Sequence, residues 1–164
     1  MTTPSSPSSP TTSRVFLVVV DETIELNVAI YYACCRARRS GGRVAMLYVI
    51  EPGELQHWGA IENLMRDQQR SEAEETLMRH AGKVKELTSS LPIFYIREGN
   101  RREELIRLLN EDPTISILVL AASPNPEGPG PLISYLTGHG VTKLRIPLTI
   151  VPGTLTNDEI NAIT

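Results

Sequence analysis

Asp21 is the first residue in this chain whose type and position could do chemistry. It closes Val15-Phe16-Leu17-Val18-Val19-Val20, six apolar and mostly β-branched residues with no alternation. That pattern fits a strand buried on both faces, as in a parallel sheet wrapped by helices. Ligands of open α/β sheets sit in the crevice beyond the strand C-termini, so a carboxylate emerging there can meet a ligand or cap the helix that follows.

A second candidate lies in the Pro/Gly-rich run Pro124-Asn125-Pro126-Glu127-Gly128-Pro129-Gly130-Pro131. Gly128 and Gly130, with Ser134 in the helical turn that follows, could form a small anion nest at a helix N-terminus, since glycine lets backbone N–H groups approach and aim at an anion. They could equally do no more than permit a tight turn. Four of the eight residues from 124 to 131 are proline, and each of these removes a donor.

Other chemistries find no support. There is no Gly-x-x-x-x-Gly-Lys-Ser/Thr, and Ser40-Gly41-Gly42 precedes the second strand rather than following the first, so it cannot hold a pyrophosphate at the switch point. No nucleophile has a neighbouring base, so no catalytic residue is assigned and an ATP-cleaving enzyme ranks last among the candidate functions. His57, His80 and His139 lack metal-ligand spacing and there is no Cys-x-x-Cys, which argues against a metal site. Cys34 and Cys35 are neighbours inside a helical pattern, as expected of small core residues in a reducing compartment, and they point to a cytoplasmic protein.

The elements that must position these residues follow from periodicity. The chain has 164 residues, enough for one domain with a real core. Its first 13 residues are almost entirely Ser, Thr and Pro and read as a disordered tail. Leu26, Ala29, Ile30, Ala33 and Ala37 recur at helical spacing, with Asp21 or Thr23 as the expected cap and Gly41 or Gly42 as the stop. Val44 to Ile50 is a second buried strand. Glu51 to Ala60 reads as a loop holding His57 and Trp58. A long helix from about Ile61 to Ser89 is securely amphipathic only in its second half, through Ala73, Leu77, Ala81, Val84 and Leu87.

Ile93 to Ile96 is the third strand. Asn100 and Glu103 form a capping box for a helix buried through Leu105, Ile106, Leu108 and Leu109, and Pro113 stops it. Ile115 to Leu120 is the fourth strand. Pro131 opens a helix that Gly138 and Gly140 should break near His139. Pro147 to Val151 is the fifth strand, and Thr156 with Glu159 caps a short terminal helix over Asn157 to Ala162. Strands alternating with helices predict a doubly wound parallel α/β sheet, its crevice lined by Asp21 on one side and by residues 121 to 130 on the other.

The formal net charge of −3 and the absence of a basic stripe argue against nucleic acid, and Arg36, Arg38, Arg39 and Arg43 cluster where they complement a helix C-terminus. No apolar run approaches the ~20 residues of a membrane-spanning helix, and no basic-then-apolar leader opens the sequence, so no membrane contact is expected.

Val18-Val19-Val20-Asp21, Arg38 to Gly42, Leu47 to Pro52, Arg97 to Asn100, Ile117 to Ser123 and Ile146 to Pro152 together resemble the universal stress protein family, in its order and nearly its spacing from Arg14 to Pro152. The resemblance implies a five-stranded sheet in the order 3-2-1-4-5 over residues 14 to 152, with 153 to 164 as an extension. It also implies a homodimer paired through the edge strand Leu148 to Val151. Many members bind ATP or AMP, and by resemblance Asp21 would lie near the adenine and ribose with Val20 and Val49 as pocket wall. The family's phosphate loop runs Gly, two residues, Gly, nine residues, Gly, then Ser or Thr. Here Ala122, Asn125 and Tyr135 stand at the glycine positions, while Gly138 comes three residues late and precedes His139. The expectation is therefore a dimeric stress-response module without that loop, or else an adenine-nucleotide sensor with a modified site.

Overall fold

The computed structural model describes residues 12–53 and 59–164; the residues from 1 to 11 assigned to a tail, and His57 and Trp58, lie outside them. The chain runs β1 (Val15–Val19), α1 (Leu26–Ser40), β2 (Arg43–Ile50), α2 (Gly59–Thr88), β3 (Ile93–Glu98), α3 (Arg101–Glu111), β4 (Ile115–Ala122), α4 (Pro131–Thr137), a 3-10 turn (Val141–Lys143), β5 (Leu148–Pro152) and α5 (Asn157–Ile163). The five strands form one sheet in the order β3-β2-β1-β4-β5, and every neighbouring pair is parallel. This is the expected doubly wound order.

Each face of the sheet buries its own core, because successive side chains of a strand point to opposite sides. Phe16, Val18 and Met46 pack with Ile30, Ala33, Leu77 and Val84 of α1 and α2. Leu17, Val19, Ala45 and Leu47 pack on the other side with Leu105, Leu108 and Leu109 of α3 and with Ile133 and Leu136 of α4. The unbroken apolar run of β1 is thus explained by its burial between two helical layers. Its pairing with β4 shifts register after Val15, where Ser116 Oγ accepts the Val15 N–H at 3.1 Å in place of a ladder carbonyl.

Helix boundaries follow the local chemistry. Gly41, at φ 68°, closes α1 in the left-handed region, its N–H donating to the Ala37 carbonyl. Asn100 caps α3 by accepting from the Arg102 and Glu103 amides, and Thr156 caps α5 by accepting from Glu159. α4 breaks at Gly138, as the two glycines predict, before the 3-10 turn. The buried face of α2 comes from Ala73, Leu77, Ala81 and Val84, in its second half. α5 lies against α1, with Ile160 fully buried and Asn161 Nδ2 donating to Tyr31 Oη at 2.7 Å.

Candidate functional site

β1 and β4 are neighbours, yet β1 leads into a helix on one face and β4 into a helix on the other. The chain therefore parts beyond their C-terminal ends, and a crevice with a cavity volume of about 90 Å³ opens there. Asp21, Thr23 and Glu25 line it after β1, Ser123 and Pro129-Gly130-Pro131 after β4, and Arg101 from the start of α3.

Asp21 does not cap α1. Its Oδ1 accepts from the Thr23 amide at 2.9 Å and from Thr23 Oγ1 at 2.6 Å, while the helix begins at Leu26 behind Glu25, which makes no side-chain cap. The expected cap by Asp21 or Thr23 is corrected accordingly: the carboxylate tightens its own turn, and that turn uses up the residues a cap would need. One oxygen, Oδ2, has no hydrogen-bond partner among the described residues.

The loop after β4 holds few free donors. Gly128 and Gly130 both take positive φ, 117° and 115°, which only glycine adopts without strain. Ser123 N donates to the Pro129 carbonyl, Asn125 N to Ser123 Oγ and Gly128 N to the Asn125 carbonyl. With four residues being proline, only the Glu127 and Gly130 amides between 123 and 131 are left without an acceptor among the described residues. α4 has seven residues and opens on Pro131, which has no N–H, so its first turn offers only the Leu132 and Ile133 amides. A shallower basin adjoins the crevice mouth, containing Gly128, Gly130 and Ser134, and Glu22, Glu25 and Glu127 rim it. The proposed anion nest is thus short of amides and surrounded by carboxylates.

The six residues singled out from the sequence therefore separate. Asp21 and Gly130 share the crevice, whereas Gly128 and Ser134 sit in the outer basin. Val49 lines a different pocket, with Tyr48, Glu51, Gln69 and Glu72, and only Arg101 is common to that pocket and the crevice. Val20 is 2% exposed, lines neither space, and donates its N–H to the Leu47 carbonyl at 2.8 Å. Val20 thus belongs to the core, and Val49 faces the neighbouring pocket across Arg101 from Asp21.

Arg101 is the residue that the sequence reading passed over. Its Nε is buried with no hydrogen-bond partner. A signal was present, because Arg101 and Arg102 put two cations in the first turn of a helix, the end where the macrodipole favours anions. His80 on α2 adds no second cation at neutral pH. Burial, helped by Arg79 and Lys83, holds its imidazole below the usual range, against the opposing pull of Asp21.

No family model matches the chain, and no curated protein matches it. Solved structures do share its fold. The universal stress protein UspA from Lactobacillus plantarum aligns over 85% of this chain and 97% of its own at 19% identity, with a TM-score of 0.69. A universal stress protein in complex with cAMP aligns over 87% and 98% at 13% identity, TM-score 0.62. The universal stress protein from Archaeoglobus fulgidus in complex with dAMP aligns over 85% and 97% at 12% identity, TM-score 0.55. The fold is that of the universal stress proteins, in strand order as in layering.

Proposed function

We propose that this chain is a universal stress protein that works without catalysis, as a module whose crevice takes a nucleoside carrying one phosphate and refuses a triphosphate. The observation that carries this reading is the basin where a phosphate chain would have to extend. Glu22, Glu25 and Glu127 rim it, and the adjoining loop spends or lacks most of its amides. Glu22 and Glu127 are exposed and Glu25 is half-buried, and like charges along that rim repel, so each added phosphate weakens binding. The crevice itself keeps Asp21 with one free carboxylate oxygen, suited to accept from ribose hydroxyls or an exocyclic amine. The universal stress proteins solved with cAMP and dAMP hold ligands of this single-phosphate class. Buried, unpaired Cys34 and Cys35 agree with work in a reducing compartment, the cytoplasm.

Thermal unfolding with adenosine, AMP and ATP tests the proposal. AMP at about 100 times its Kd should add ~2.7 kcal/mol and raise the melting temperature, while equal ATP raises it less. A flat response to adenosine and AMP overturns the nucleotide reading, and a larger shift with ATP overturns the exclusion of triphosphate.

The chain is further proposed to pair with a second copy through β5. Among the described residues that strand has a neighbour only on its β4 side, and Ile150 on it is 40% exposed. An open apolar edge of this kind is a template for strand pairing.

A further inference from the structure

We infer that Arg101 grips the ligand's single phosphate, performing with a side-chain fork the task that the proline-rich loop cannot perform with backbone amides. The inference rests on the nucleoside-monophosphate reading of the crevice and adds the group that would recognise the anion.

The first support is an unspent charge. The Arg101 side chain has no hydrogen bond or ion pair among the described residues, and its Nε is sealed from solvent. A buried donor with no acceptor is costly, and a guanidinium never escapes the cost by losing its proton. Such a group persists where an acceptor arrives from outside the chain.

The second support is placement. Among the described residues, Arg101 is the only cation lining the crevice that also holds Asp21 and Gly130. Two carboxylates that share its pockets spend an oxygen elsewhere: Glu51 Oε1 accepts the Arg101 backbone amide at 3.1 Å, and Asp21 Oδ1 serves Thr23.

The third support is that α3 cannot bind the anion by its own backbone. The first amides are capped, Arg101 N by Glu51 and the Arg102 and Glu103 amides by Asn100 Oδ1. What remains at that end is the positive dipole and the guanidinium. A planar fork of donors matches two oxygens of one phosphate, and has nothing left for a second or third phosphoryl group. The arginine and the acidic outer basin thus select the same ligand class from opposite directions.

Calorimetric titration of adenosine and AMP into the wild-type chain, Arg101→Met and Arg101→Lys tests this. Wild type should bind AMP more tightly than adenosine. Arg101→Met should weaken AMP by about 10- to 100-fold, down to the adenosine level, with adenosine itself unchanged. Arg101→Lys should fall between, because it keeps the charge and loses the fork. Ligand-free Arg101→Met should melt no lower than wild type, since methionine replaces a half-buried side chain whose buried Nε has no partner. If both variants keep the wild-type preference for AMP over adenosine, Arg101 does not hold the phosphate and the inference fails while the nucleotide reading stands. If wild type binds neither ligand, the functional reading fails and takes this inference with it.

Discussion

Two aspartates in this chain make the same local motif and differ only in one oxygen. Asp21 Oδ1 accepts from the amide and hydroxyl of Thr23, and Asp112 Oδ1 accepts from the amide and hydroxyl of Thr114. The second oxygen of Asp112 is taken by the Tyr95 hydroxyl, whereas that of Asp21 is left for the crevice. Asp112 is accordingly structural. Its hydrogen bonds from Thr114 and Tyr95 hold its carboxyl below the usual range, and burial together with the same bond pushes the Tyr95 phenol up to about 12. A carboxyl whose folded value lies below its unfolded value near 3.9 contributes fully above that pH and loses its contribution as pH falls through the folded value. Tyr95→Phe should therefore lower the melting temperature at pH 7 by roughly 2–4 °C and flatten its decline below about pH 4. An unchanged decline would show that Thr114 alone sets the Asp112 carboxyl.

Among the elements, α3 carries the most consequence for the crevice, because its first residue is Arg101 and its cap is Asn100. Asn100→Ala removes the acceptor for two amides and should cost about 1 kcal/mol in urea unfolding. It should also reduce AMP affinity, since two freed amides let the first turn fray and Arg101 move with it. A loss of stability with affinity untouched would separate the cap from the site. The motifs at Asn100 and Thr156 were legible because an N-cap is a contract among residues three apart. The cap expected for α1 was not, because Asp21 and Thr23 bond each other first and leave the helix to start behind Glu25. Two local motifs competed for the same atoms, and the shorter closed.

At the scale of the molecule, the sheet of the described residues has two open edges, β3 and β5, each with an exposed apolar side chain: Phe94 at 38% and Ile150 at 40%. The proposed dimer uses only the second. Sedimentation at micromolar concentration should show wild type and Phe94→Lys as dimers and Ile150→Lys as a monomer with an unchanged far-UV spectrum. A monomeric wild type, or a dimer lost only with Phe94→Lys, would move the interface off β5.

The strand order and two-layer burial could be read from the residues because they depend on patterns summed over many positions: unbroken apolar runs for strands, helical spacing between them, and right-handed crossovers that leave few topologies. The loss of amides to proline near Gly128 and Gly130 could be read in the same way. Whether Asp21 or Asp112 had an oxygen to spare, whether Val49 faced the same space as Asp21, and whether Arg101 found a partner depended on single atoms brought together from elements far apart in the chain. A hydrogen bond is decided within a few tenths of an ångström, and no one-dimensional pattern carries that distance.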